Sequence, residues 1–167
     1  MSLEYQNIIT LIKRAISVLI YYPIAAVFKM LSIETPHFYV DRIGHLSVDP
    51  DSFLKDYYLL NGRFPRCLLI ASKSLDGLPI NQTILNYWKK YFIVIQNPIL
   101  VRIFLPLCFH PLLKSEEKYA ATQFDTSITY EINNKWGERD PLLKITVEDF
   151  KAGHNILMQM GLQENDW

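Results

Sequence analysis

An α/β domain with a parallel sheet, approached through an apolar N-terminal helix, is the architecture this sequence predicts. Two apolar runs of strand length, Arg66–Ala71 (RCLLIA) and Phe92–Ile95 (FIVI), flank a segment of helical periodicity. Both runs are nearly continuous in apolar residues, as strands covered on both faces are. Ahead of them, fourteen residues from Ala15 to Phe28 carry no charge.

The organisation expected is an apolar or amphipathic helix over residues 1–33, followed by an α/β domain over 34–167. A fourteen-residue helix spans about 21 Å, short of the roughly 30 Å core of a bilayer. Lys13 and Arg14 precede the apolar core as in a signal peptide, but no small-residue cleavage site follows Phe28. Upstream, Gln6, Thr10, Lys13 and Ser17 form one polar stripe, and apolar residues fill the rest of the circumference. Residues 3–28 therefore suit a helix lying on a membrane surface. The competing readings are a helix buried on the following domain, bent at Pro23, and a true span.

In the body, Pro36 precedes a strand expected at His37–Asp41. Asp49-Pro50 is expected to open a helix, with Asp49 as N-cap and Pro50 at the first helical position. Phe53, Leu54, Tyr57, Tyr58 and Leu60 continue it, and Gly62 is placed to end it. Strand Arg66–Ala71 follows, then a helix carrying Ile80, Ile84, Tyr87, Trp88 and Tyr91, then strand Phe92–Ile95. A helix is expected from Pro98 to Leu105. The more polar stretch 114–140 reads as a loop with one short strand near Ser127–Glu131. Thr146-Val-Glu-Asp149 is a capping box by residue type, opening a helix that ends at Gly161. The chain stops at Trp167, where the alternation would call for another strand.

Seventeen basic residues balance seventeen acidic ones, so the chain lacks the cationic excess of a nucleic-acid binder and no nucleic-acid partner is expected. The balance is uneven along the chain. Residues 1–33 carry a net charge of +2 and residues 111–167 a net of −4. Cys67 and Cys108, both inside apolar runs, read as buried small hydrophobes rather than as a disulfide or zinc pair. A cytoplasmic setting, at the inner face of the membrane, fits these features.

The six glycines never stand two apart, so neither a GxGxxG loop nor a Walker A loop is present, and GxSxG and HExxH are missing too. Asp49-Pro50-Asp51 has the form of a metal-binding DxD, but a helix start explains both acids better, and no metal is expected. The segment Asp41-Arg42-Ile43-Gly44-His45 lies between the first expected strand and the first expected helix, where open α/β sheets bind ligands. Arg42 offers a fork to phosphate or carboxylate, Gly44 permits close backbone approach, and His45 has the chemistry of a general base. The plain alternatives are an Arg42–Asp41 pair and a hydrogen-bonded loop histidine. His37, His110 and His154 read as structural.

Arg42-Ile43-Gly44-His45-Leu46, the Leu-rich run at 68–70, Asn81-Gln82 with Tyr87-Trp88-Lys89-Lys90, and the stretch Leu143–Trp167 occur in an order that resembles a bacterial glycosyltransferase family of surface polysaccharide biosynthesis. The resemblance covers most of 36–96 and 142–167. It implies the Rossmann-like N-terminal half of a two-domain, GT-B-like enzyme, whose second half would hold most of the nucleotide-sugar donor. It implies a glycan or lipid-linked acceptor, His45 as catalytic base, Arg42 and Gly44 near the donor phosphates, and no metal or other cofactor. Family members are longer, so a separate C-terminal donor-binding half is an expected partner, and the chain alone is expected to turn over poorly or not at all. The alternatives are a truncated, non-catalytic remnant, a module that binds a membrane or a glycan, and an interaction protein using the apolar 98–109 patch.

Overall fold

The computed structural model of this chain describes residues 3–71, 80–113 and 126–161, with the side chains of residues 3–14 and 126 outside the description. Helix α1 (Leu3–Met30) leads into a two-residue strand β1 (Ile33–Glu34), then helix α2 (Ile43–Asn61) and strand β2 (Arg66–Ile70). Helix α3 (Gln82–Trp88), strand β3 (Phe92–Ile95) and helix α4 (Pro98–Phe104) follow, and a 3-10 turn covers Leu105–Phe109. Helices α5 (Thr126–Trp136) and α6 (Val147–Gln159) complete the order.

The strands form one parallel sheet in the order β1-β2-β3, with Glu34 opposite Cys67 and Leu69 opposite Val94. Alternation along β2 builds a core on each face. Cys67 and Leu69 join Phe92 in packing against Phe53 and Leu54 of α2, Leu85 and Trp88 of α3, and Ile132 and Trp136 of α5. Leu68 and Ile70 join Ile95 in packing against Val101, Cys108 and the partly buried Phe28 and Phe104. The sheet is thus sandwiched between α2, α3 and α5 on one side and α1, α4 and the 3-10 turn on the other.

The Rossmann-like, GT-B-like half expected from the resemblance is not what the chain adopts. The molecule is a helix-dominated α/β structure whose strands have two, five and four residues. Among the described residues the strand order never reverses, so the sheet lacks the switch point at which a doubly wound fold opens its ligand crevice.

Three local expectations are corrected as well. The first strand lies at Ile33–Glu34, ahead of Pro36, and His37–Asp41 is irregular. Pro36 lacks the amide a continuing ladder needs, so it closes the strand instead of opening one. Helix α2 begins at Ile43, six residues before Asp49, and Pro50 sits inside it. Ser127–Glu131 is helical. Ile128, Ile132 and Trp136 stand four apart and turn one face to the core, while Tyr130 is exposed. Of the loop expected over 114–140, residues 114–125 lie outside the described residues, as does the end of the chain at 162–167.

Elsewhere local chemistry places the elements where the sequence puts them. Gly62 ends α2 with φ +67° and donates its amide to the Tyr58 carbonyl at 2.8 Å. Asn97 caps α4 by accepting the amides of Ile99 and Leu100, with Pro98 at the start. Helix α1 seats Tyr21, Ala25 and Phe28, spaced four and three apart, against Leu107, Leu113 and Phe104. His110 ties the same contact: its Nε2 donates to the Val18 carbonyl at 3.1 Å and its Nδ1 accepts the Leu112 amide at 3.3 Å. His37 packs between the rings of Tyr39 and Phe109, and burial lowers its pKa.

Candidate functional site

Arg42 is the N-cap residue of α2, extended at φ −111° and ψ 121°, and its side chain makes no cap hydrogen bond. The residues after it therefore form the first helical turn, not a loop. Gly44 is helical and exposed, and a Cβ there would meet nothing within 4 Å. Close backbone strain does not require a glycine at this position. The open space leaves the first turn accessible from outside.

His45 is half-buried beside the Tyr39 ring, with centroids 5.8 Å apart. Its Nδ1 lies 3.2 Å from Asp49 Oδ2, and the Asp49 side chain is only 1% exposed. Asp49, expected as a helix N-cap, is instead the partner of His45. The signal was there: once the helix starts at Ile43, His45 and Asp49 are one turn apart on the same face. Burial pushes the Asp49 carboxyl up to about 6, against the opposing pull of His45.

The two acids of Asp49-Pro50-Asp51 diverge, as successive odd positions on a helix must. Asp51 pairs with Lys55 at 2.7 Å, and Lys55 also donates to Asn133 of α5 at 2.8 Å. Burial raises the Asp51 carboxyl while Lys55 lowers it. This link fastens α2 to α5 and does not converge with Asp49 on a metal position. Among the described residues no cluster of three or more His, Cys, Asp or Glu is arranged to hold a metal ion.

The structure thus gathers Arg42, Gly44 and His45 into a single turn and adds Asp49 beneath it. Chemically, the turn offers a cationic fork, a helix start that the Arg42 side chain does not cap and an imidazole held by a carboxyl. A buried carboxylate that accepts the Nδ1 proton fixes the orientation of the ring.

Comparison with protein-family models, with curated proteins and with solved structures finds no match to this chain.

Proposed function

We propose that this chain takes part in glycosyl transfer from a nucleotide-sugar donor to a glycan or lipid-linked acceptor, with the first turn of α2 as the reacting end. The pairing of His45 with buried Asp49 at 3.2 Å supports this reading most directly. In the reaction, the acceptor hydroxyl oxygen attacks the anomeric carbon as its proton passes to His45. The bond from that carbon to the phosphate oxygen breaks, and the electron pair leaves with the nucleoside diphosphate. Asp49 stabilises the imidazolium that forms. Arg42, three residues before His45, and the positive end of the α2 dipole would meet the departing diphosphate. The nucleotide sugar is a substrate, and the proposal assigns the chain no cofactor.

The test is a titration of the chain with uridine, guanosine and adenosine diphosphates, followed through the imidazole carbon–proton NMR signals. At least one should shift the His45 signals, and Arg42→Ala should weaken that response by about tenfold, as befits a charged fork to phosphate. If none moves His45 up to millimolar ligand, the proposal fails.

A second reading, a module docked on a lipid surface at the cytoplasmic side, is favoured by the outer face of α1. Ile16, Leu19, Ile20, Val27 and Met30 are exposed there, and Lys29 stands at the edge of that face. Phe28 stacks on Phe104 of α4, where Ile99 and Ile103 are also exposed around Arg102. No helix among the described residues is long and apolar enough to cross a membrane, so a helix lying in the interface is the form proposed. Sedimentation with vesicles containing anionic phospholipid should carry the chain down, and Ile20→Asp with Val27→Asp should release it. Equal sedimentation of that variant would rule the surface out.

A further inference from the structure

A second concave surface lies at the far end of α2. Tyr58 follows His45 by thirteen residues, about 20 Å along the helix, so this surface is separate from the first turn. It is a cleft of about 460 Å³ between the C-terminal ends of α2 and α5, helix α3 and the segment after Gly137. That size falls within the roughly 300–1,000 Å³ of small-molecule sites.

Its wall is a run of aromatic rings in contact. Phe64 stands between Tyr58 and Tyr91, with centroids at 4.9 and 5.1 Å, and Tyr58 meets Trp136 at 5.6 Å. The ring of Phe64 reaches the surface, delivered there by the left-handed turn at Gly62. Three cations line the cleft, Lys90, Arg139 and Lys144, against one carboxylate, Asp140. Lys90 Nζ lies 5.3 Å from the Tyr91 ring and the Arg139 guanidinium 5.7 Å from the Trp136 ring. Lys90 and Arg139 are thus held beside ring faces, while Lys144 pairs with Asp140 at 2.6 Å, which leaves the cleft a surplus of two positive charges in a chain with no net charge.

The frame is rigid. Trp136 Nε1 donates to the Asp140 carbonyl at 3.1 Å, and the Thr146 amide donates to the Tyr87 hydroxyl at 3.1 Å. The segment that forms one wall is therefore pinned at both ends. The exposed Phe64 ring and the half-buried Tyr91 beside it offer stacking to a flat ring, and the cations offer charge-assisted hydrogen bonds to an anion. We propose that this cleft binds a phosphorylated ring compound, its ring on Phe64 and Tyr91 and its phosphate toward Lys90 and Lys144.

Two sources supply that chemistry, a nucleoside phosphate and a sugar phosphate. The whole chain is titrated with uridine 5′-monophosphate and with glucose 1-phosphate, reading tryptophan fluorescence and binding heat. Uridine, glucose and inorganic phosphate are the controls. At least one phosphorylated ring should bind about tenfold more tightly than its unphosphorylated form and than phosphate alone. The preferred compound identifies the source. Phe64→Leu, which keeps an apolar side chain but removes the π face, and Lys90→Ala should each weaken binding about fivefold while the chain still unfolds cooperatively. The proposal is overturned if neither compound outperforms inorganic phosphate, or if both variants bind as the parent does. His45→Ala should leave this binding intact, which keeps its outcome independent of the glycosyl-transfer reading.

Discussion

The indole Nε1 of Trp88 donates to the main-chain carbonyl of Leu46 at 2.7 Å. Leu46 stands four residues before Pro50, so its carbonyl is the one that would accept the amide proline lacks. A residue in α3 thereby repairs the ladder of α2. Both Leu46 and Trp88 are fully buried, so no solvent could do it instead.

Replacing the donor tests this directly. Trp88→Phe removes the N–H and leaves a buried carbonyl unpaired, and should cost about 1–3 kcal/mol for that carbonyl in addition to the lost ring volume. Pro50→Ala supplies a helix amide to the same carbonyl. In urea unfolding, Pro50→Ala should recover part of the loss in the Trp88→Phe background and gain less in the parent. Strict additivity of the two changes would show that they do not share Leu46.

The His45–Asp49 pair predicts a pH dependence. The Asp49 carboxyl lies near 3.8 in the unfolded chain and about 6 in the fold. A raised carboxyl binds its proton more tightly when folded, so its contribution is fully present below pH 3.8 and lost as pH rises through 6. Asp49→Asn removes the titration while keeping an oxygen to accept from His45. Relative to the parent, the variant should gain stability steadily between pH 4 and 6, by up to about 3 kcal/mol. A difference between the two that stays constant over that range would contradict the raised carboxyl.

Helix α6 has no fully buried residue, so its N-terminal hydrogen bonds weigh heavily in its attachment. Thr146 Oγ1 accepts the Asp149 amide at 3.1 Å. The return bond of a capping box is made through α3: the Thr146 amide donates to the Tyr87 hydroxyl, which donates to the Asp149 carboxylate. The Thr146 hydroxyl, followed by that of Tyr87, holds the Asp149 carboxyl below its usual range. Tyr87→Phe should raise amide exchange across α6 several-fold while exchange in β2 and β3 stays unchanged. Unaltered exchange in α6 would mean that this hydrogen-bond chain does not hold it.

Gly62→Ala should destabilise the chain by about 1 kcal/mol, because an L residue is strained at φ +67°. The added Cβ meets nothing within 4 Å, so the cost is one of backbone alone. Gly62→Asn, which tolerates this conformation better, should cost less in thermal unfolding. Equal losses for the two would place the effect elsewhere.

The elements legible in the sequence were those set by local rules. Apolar runs placed β2 and β3, Gly62 ended α2, and Asn97-Pro98 and Thr146 opened their helices, since each needs only a few neighbouring residues. His45 and Arg42 also had to be close whatever the fold, because three residues keep company in any compact segment. What the sequence by itself could not determine was whether they stood in a loop or on a helix. That turned on Pro50, which by local rules starts a helix. It lies inside one because Trp88, forty-two residues beyond Leu46, takes the orphaned carbonyl. The same long-range contact brings Asp49 under His45 instead of at a helix cap. The sheet was decided at that level too: a two-residue strand has no sequence signature, and its pairing with β2 exists only once both faces of β2 are covered. The aromatic cleft is the clearest case. Its rings come from α2, α5, the turn after Gly62 and the turn between α3 and β3, and only tertiary packing gives them a common wall.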